Sequence, residues 1–154
     1  MFGLFKKKIE IASPMTGDVV DITKTSDQVF SGKMVGDGVT IIPTDGEVVA
    51  PIDAEVTQIF DTGHAVGLKS GDIEILIHIG LDTVELNGQG FQKIAKVGDH
   101  VKKGDTLIIA DLNLIKSLGK PIETPLIIVN DGGKTIHKNL THAIKGETIV
   151  MELK

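Results

Sequence analysis

Short apolar runs, each bounded by Gly, Pro, Asp or Asn, recur along the whole chain. Runs of this kind, rich in Val, Ile and Thr, are typical of β-strands. Many short strands at close spacing favour an antiparallel β-sandwich or a flattened barrel. The predicted strands lie at 19–20, 39–42, 47–49, 55–60, 73–79, 106–109, 126–129 and 148–151.

One stretch has helical spacing instead. Asp111 is a suitable N-cap, Leu112, Ile115 and Leu118 share one face, and Gly119 follows as the stop. The pattern therefore predicts an all-β fold that contains at least one short helix.

Two pairs of segments resemble each other and suggest quasi-repeated hairpins. These pairs are 13–20 with 50–57, and 103–108 with 145–150. Their spacing is too irregular for a solenoid. Since no Ser-, Pro- or Gly-rich linker divides the chain, we expect one domain over 9–154, preceded by a short flexible segment, 1–8.

Composition narrows the possible partners. The net charge of −5 argues against nucleic acid as the main partner. All 16 basic residues are lysines, so a bound phosphate would lack the bidentate arginine fork. Trp and Tyr are also missing, which removes the aromatic platforms on which bases and sugars stack.

Cysteine is absent as well, which excludes disulfides and thiolate metal sites and suits a reducing cytosol. The apolar start lacks the order of a secretory signal. No run approaches the roughly 20 apolar residues that span a bilayer. The sequence thus predicts a cytoplasmic protein without direct membrane insertion.

Two histidines lie on the arms of one predicted hairpin. Alternation along 73–79 places Ile73, Ile75, Ile77 and Ile79 on one face and His78 on the other. A three-residue turn, Ser70-Gly71-Asp72, would pair Lys69 with Ile73 and set His64 opposite His78. Directly opposite residues share a face, with Cβ atoms about 5 Å apart. We therefore expect the two imidazoles to meet, provided that this register holds.

Paired imidazoles allow three interpretations. One ring can attack phosphorus while the other donates a hydrogen bond to the transferring phosphoryl group. The pair could instead bind a metal, although no third histidine lies nearby in sequence. Both could also be structural. Thr62 lies two residues before His64, where its hydroxyl could set the tautomer of that ring.

The remaining histidines, His100, His137 and His142, occur in turn-like, polar sequence and are expected at the surface. Apolar residues near the glycine-rich loops could be ordinary core. If exposed around the histidines, they would form a docking collar that excludes water from a reactive phosphoryl group. These residues are Phe30, Met34, Val35, Phe60 and Val84.

Residues 71–84, GDIEILIHIGLDTV, resemble the signature of glucose-type IIA domains of the bacterial phosphoenolpyruvate-dependent sugar phosphotransferase system. The resemblance extends over nearly the whole chain, with several separate motifs in the same order. The other matching segments are 9–14, 29–30, 35–38, 62–65, 85–91 and 101–105.

The resemblance implies an antiparallel β-sandwich that carries a phosphoryl group on His78 Nε2. His64 would hydrogen-bond that group, supported by Thr62. Asp27 and Asp82 would form an acidic rim around the apolar docking face. The donor would be the phosphocarrier protein HPr and the acceptor the IIB domain of a sugar permease. No nucleotide, cofactor or metal is required.

Two other interpretations are weaker. Residues 97–105 are similar to the turns of biotinyl or lipoyl carrier domains, but the nearest candidate lysine, Lys33, precedes Met34 instead of following it. A metal-dependent hydrolase would need a third ligand that the pattern does not supply.

Overall fold

The computed structural model describes residues 8–154, and its regular structure is mainly β. The strands are β1 Ile9–Ala12, β2 Gly17–Asp21, β3 Asp37–Pro43, β4 Glu47–Val49, β5 Ala54–Ile59, β6 Ala65–Ser70, β7 Ile73–His78, β8 Phe91–Lys93, β9 His100–Val101, β10 Thr106–Ala110, β11 Thr124–Asn130, β12 Ile136–Lys138, β13 His142–Ala143 and β14 Ile149–Leu153. The helices are α1 Gln28–Ser31 and α2 Leu112–Ser117, and 3-10 turns occupy Ile22–Lys24 and Thr83–Leu86. The expected all-β fold with short helices is confirmed.

The strands form three sheets, and every strand pair within residues 8–154 is antiparallel. The largest has the order β13-β2-β3-β11-β7-β6-β5-β9. Two smaller sheets have the orders β1-β14-β12 and β4-β10-β8. All eight predicted strands are present, whereas the sequence pattern missed β1, β8, β9, β12 and β13.

One core joins the three sheets. Ile75 of β7, Ile108 of β10 and Val150 of β14 belong to the same buried cluster, although each comes from a different sheet. Burying a side chain of this size contributes about 1.5–3 kcal/mol. The apolar faces therefore pack against each other as the layers of a sandwich.

A second, smaller cluster covers the other face of the large sheet beside the end of β7. It consists of Ile22, Phe30, Leu81 and Ile127, with Val35 and Leu76 packed against it. The 3-10 turn at Ile22–Lys24 and helix α1 bring the first two of these side chains onto the sheet. The sequence pattern did not predict α1, because one helical turn has no periodicity to detect.

The predicted register of the β6–β7 hairpin is wrong. Ser70 pairs with Ile73, which leaves the two-residue turn Gly71-Asp72, and Ala65 pairs with His78. The predicted three-residue turn would have paired Lys69 with Ile73, a residue of the buried face. In the observed register Lys69 lies opposite Glu74, and both side chains are exposed. Keeping the lysine out of the core favours the observed pairing.

Helix α2 follows the predicted pattern. The Asp111 carboxylate accepts a hydrogen bond from the backbone N–H of Leu114 at 3.1 Å. Gly119 has a φ of +83°, the left-handed conformation that ends many helices. Ile115 is fully buried, but Leu118 is 40% exposed, so the expected apolar face is only partly covered.

Most of the predicted flexible segment, 1–8, lies outside the described residues. Of this segment only Lys8 is described, and its Nζ lies 2.8 Å from the Glu152 carboxylate. Among residues 8–154, no helix combines the length and the hydropathy that crossing a membrane requires.

Candidate functional site

A tight turn between β5 and β6 positions His64. The N–H of Gly63 donates to Phe60 O at 2.7 Å, and the N–H of Phe60 donates to Ala65 O at 3.1 Å. Gly63 has a φ of +76°, and a Cβ there would lie 2.9 Å from Phe91 Cβ. A glycine is therefore required at this point of the turn. His64 precedes β6, so strand alternation does not dictate where its ring points.

His78 is the last residue of β7 and lies on the face opposite the core isoleucines. Its Nδ1 lies 2.8 Å from Gly80 O. A carbonyl oxygen only accepts hydrogen bonds, so Nδ1 carries the proton. In the neutral ring, Nε2 then has a free lone pair. His78 is thus held in the tautomer that a nucleophilic Nε2 requires.

The two imidazoles meet even though the predicted register does not hold. Their ring centroids lie 5.0 Å apart, at an interplanar angle of 77°. The N–H of Ile79 donates to His64 O at 2.7 Å, so the backbone of His64 lies opposite Ile79 and not opposite His78. The rings come together because His64 belongs to a turn and its side chain reaches across to the end of β7.

Two phenylalanines flank the pair. The Phe30 ring lies 4.9 Å from the His78 ring, and the Phe60 ring lies 5.2 Å from the His64 ring. Phe30 is only 7% exposed and His64 only 3%, whereas His78 is partly exposed. The site is therefore an apolar recess in which His78 is the more exposed of the two histidines.

Thr62 contacts His64 as predicted. Its Oγ1 lies 2.5 Å from His64 Nδ1. If the hydroxyl donates this hydrogen bond, His64 Nε2 carries the remaining proton and can act as a donor. That arrangement complements His78, whose Nε2 has the lone pair.

Burial favours the neutral form of both rings. Burial and, to a smaller extent, the nearby His78 together lower the pKa of His64 to about 4. Burial also lowers the pKa of His78, against the opposing effects of the Gly80 carbonyl and of Asp27 and Asp82. Both imidazoles are thus neutral near pH 7, as nucleophilic attack by a ring nitrogen requires.

The residues predicted to form the docking face differ in their exposure and in their contacts. Met34 and Val84 are 75% and 52% exposed, which is high for apolar side chains. Val35 packs against the small cluster beneath Phe30. Asp82 is exposed and has a φ of +56°, and Asp27 caps α1 by accepting from the N–H of Val29 at 2.8 Å. Asp27 therefore has a structural role that the sequence did not reveal.

The remaining candidates lie elsewhere. His100, His137 and His142 are exposed, as expected. Lys33 lies between α1 and β3, with its Nζ 3.5 Å from Asp37, and not at the tip of a hairpin where a carrier lysine would stand. Within residues 8–154, no group of three or more His, Cys, Asp or Glu side chains is arranged to hold a metal ion.

Sequence reasoning missed two features of the site. One is the carbonyl of Gly80, which a glycine two residues after a strand-terminal histidine could have suggested. Gly80 has a φ of +76°, so the chain turns back and presents this carbonyl to the ring. The other is the packing of α1 over the large sheet, for which the sequence carries no local signal.

Comparison with known proteins found a matching family model and several similar chains. Residues 9–133 match the family model described as phosphoenolpyruvate-dependent sugar phosphotransferase system, EIIA 1. A glucose-specific EIIA component from Staphylococcus epidermidis is 46% identical, in an alignment that covers 99% of this chain and 96% of the relative. The corresponding component from Haemophilus influenzae is 42% identical over 100% of this chain and 96% of its own.

A larger relative and a solved structure extend the comparison. The glucoside-specific EIICBA component of Staphylococcus carnosus is 46% identical over 92% of this chain, which corresponds to 21% of that protein. The structure of glucose permease IIA from Mycoplasma capricolum superposes with a TM-score of 0.91 at 35% identity. That superposition covers 97% of this chain and 98% of the other.

Proposed function

This chain belongs to the EIIA 1 family of the phosphoenolpyruvate-dependent sugar phosphotransferase system, and we propose that His78 carries the phosphoryl group that this phosphotransferase component transfers. One observation carries the proposal: His78 Nδ1 is bound to Gly80 O, 2.8 Å away, so that Nε2 is left with a lone pair in an apolar recess. The partner imidazole lies beside it, at a centroid distance of 5.0 Å.

The proposed step is an in-line displacement at phosphorus. The lone pair of His78 Nε2 forms the new N–P bond while the N–P bond of a phosphohistidine donor breaks, and that electron pair leaves with the donor's ring nitrogen. The proton on Nδ1 stays in place, shared with Gly80 O. The ring gains positive charge as the bond forms, and Asp27 and Asp82 stabilise this charge electrostatically. Because such transition states are loose, positioning supplies most of the catalysis.

His64 is proposed to bind the phosphoryl oxygens. Its lowered pKa keeps the ring neutral, so Nε2–H donates one hydrogen bond without adding a full charge. Thr62 fixes this tautomer by donating to Nδ1. Donors aimed at developing negative charge in a recess that excludes water lower the barrier more than they would in bulk solvent.

The proposed partners are the phosphocarrier protein HPr as donor and the IIB domain of a sugar permease as acceptor. The exposed apolar residues Met34 and Val84, beside Asp27 and Asp82, suit partners with an apolar surface ringed by basic groups. The S. carnosus relative, whose name combines EIIC, EIIB and EIIA, supports a IIB acceptor. We place the reaction in the cytoplasm and assign it to a single phosphotransfer domain, 9–154, in which β1 and β14 pair near the two ends.

The test is phosphorylation by the first enzyme of the system and HPr, with labelled phosphoenolpyruvate. The parent protein should gain an acid-labile, base-stable phosphate, and His78→Ala should gain none. His142→Ala is the matched control, because His142 is an exposed histidine outside the site. Labelling of His78→Ala at the parental rate would show that another residue carries the phosphate.

A further inference from the structure

Residues 120–123, here called the bridging segment, lead from α2 into β11 and contact both walls of the recess that holds His78. One wall is the chain that follows His78, from Gly80 to Leu86. The other is the chain that leads into α1, from Ser26 to Phe30. Glu123 lies 97 positions after Ser26 in the chain. The bridging segment thus joins parts of the molecule that local sequence does not connect.

Backbone contacts hold the first wall against the bridging segment. The N–H of Leu81 donates to Pro121 O at 3.1 Å. A Cβ at the neighbouring Gly80 would lie 2.9 Å from the same oxygen, so the two chains are in close contact. Gly80 supplies the carbonyl that fixes the tautomer of His78. At the far end of this wall, Lys120 Nζ pairs with the Glu85 carboxylate.

The second wall is held through a side chain. The Glu123 carboxylate accepts from the backbone N–H of Ser26 at 3.0 Å and from Ser26 Oγ at 2.7 Å. The next residue, Asp27, caps α1, and α1 presents Phe30 to the His78 ring at 4.9 Å. Both carboxylate oxygens are used, so the orientation of Ser26 is fixed and not only its distance.

Helix α1 depends on such contacts from outside. It is four residues long, and a helix of one turn has no stability of its own in water. The Asp27 cap is part of the same segment and moves with it, so it cannot place α1 on the sheet. Burial of Phe30 holds one end of the turn, and the Glu123 carboxylate holds the other.

We infer that Glu123 is a positioning residue for phosphotransfer: its carboxylate sets the position of α1, and therefore of Phe30, Met34 and Asp27, relative to His78. This inference rests on the proposed function of His78. It assigns Glu123 no contact with the phosphoryl group. Removal of its carboxylate should weaken docking of the phosphorylated donor more than it slows the chemical step, because Gly80, Thr62 and His64 keep their contacts and only the charge of Asp27 is displaced.

The kinetic test compares Glu123→Ala, Glu123→Asp and Glu147→Ala. Glu147 is an exposed glutamate whose carboxylate makes no hydrogen bond or ion pair within residues 8–154, so it is the matched control. Glu123→Ala removes both hydrogen bonds to Ser26 and should raise the KM for phosphorylated HPr about fivefold, which corresponds to about 1 kcal/mol. Its kcat should fall by a smaller factor than the KM rises, and Glu123→Asp should recover part of the loss. An unchanged KM, or an equal fall in kcat, would overturn the inference.

A second readout does not depend on phosphotransfer. Phe30 should shift the NMR signals of the His78 ring protons by its ring current, and Glu123→Ala should move these signals while Glu147→Ala does not. Ser26→Ala, alone and combined with Glu123→Ala, completes a double-mutant cycle in which a positioning contact gives non-additive shifts. Unmoved His78 signals in a folded Glu123→Ala protein would refute the positioning role, even if His78 proved not to carry phosphate. If the His78 signals move in Glu123→Ala but the parent protein takes up no phosphate, only the proposed function is refuted.

Discussion

The two histidines of the site are held in different ways. His78 ends a strand, is partly exposed, and has its Nδ1 against a backbone carbonyl, which can only accept. His64 lies in a turn, is 3% exposed, and has its Nδ1 against the hydroxyl of Thr62, which can donate or accept. The backbone therefore dictates the tautomer of His78, whereas the tautomer of His64 depends on the orientation of a hydroxyl group.

This difference matches the different roles proposed for two chemically identical side chains. A nucleophile needs its lone pair on the accessible nitrogen at every turnover, which suits the ring that a fixed carbonyl holds. A hydrogen-bond donor can tolerate a partner that rotates, provided that the ring stays neutral. Burial secures this condition by lowering the pKa of His64 to about 4.

Replacing His64 by Gln tests this separation most strongly. His64→Gln should still accept phosphate on His78, because the Gly80 contact remains. Onward transfer to IIB should fall about 10²- to 10³-fold, the usual cost of losing a donor to developing negative charge. Rapid-quench measurement of both half-reactions separates the two effects, with His142→Gln as the control. Parental onward transfer by His64→Gln would remove His64 from the mechanism.

The contrast between the two rings also shows which features of the site could be predicted from the sequence. Strand β7 was predictable because Ile73, Ile75 and Ile77 alternate with polar or partly exposed residues. The sequence also carried a signal for the register of its hairpin, since the observed pairing keeps Lys69 off the buried face, but the prediction considered the turn and did not consider the side chain of Lys69. The meeting of the two imidazoles was expected, although for a geometric reason that proved wrong.

Other parts of the site had no local signal. Helix α1 is too short for periodicity, and it is placed by the contact between Ser26 and Glu123 across the chain. The Gly80 carbonyl points at His78 because of a backbone conformation, φ +76°, that any turn glycine could adopt. Long-range packing therefore determines the position of α1, and the backbone conformation determines the direction of the Gly80 carbonyl. Neither feature can be predicted from a local residue pattern.

Gly80→Ala tests the anchor of His78, with Gly71→Ala at the other end of the same hairpin as its control. Both glycines have positive φ, but an added Cβ meets nothing within 4 Å at Gly71. At Gly80 it would lie 2.5 Å from Thr83 Cγ2 and 2.9 Å from Pro121 O. Gly71→Ala should lose about 1 kcal/mol of unfolding free energy from backbone strain alone, and Gly80→Ala about 3–4 kcal/mol with the clash added. Urea denaturation measures both values. Equal losses would show that the chain around Gly80 can move freely.

The buried state of His64 should appear in the pH dependence of stability. In the unfolded chain its pKa is near the usual 6.5, and in the folded protein it is lowered to about 4. Between these values the unfolded state binds more protons, so the free energy of unfolding falls as the pH drops from 6.5 to 4. The expected loss is on the order of 3 kcal/mol. Urea denaturation across this range should give a flatter curve for His64→Gln than for the parent protein. Parallel curves would mean that His64 is protonated as easily in the folded state as in the unfolded one.

The smallest expected effect concerns the hydroxyl that holds His64. Thr62→Val preserves the shape of the side chain and removes only the hydrogen bond to Nδ1, which spans 2.5 Å. The loss of one net hydrogen bond, about 1 kcal/mol, should slow onward transfer roughly fivefold. Thr62→Ser keeps the hydroxyl and should transfer at nearly the parental rate.

The ¹⁵N shifts of His64 should show the neutral ring moving away from the Nε2–H tautomer in Thr62→Val alone. If Thr62→Val keeps both the rate and the shifts, the recess itself fixes the tautomer of His64, and the two rings are held more alike than their hydrogen-bond partners indicate.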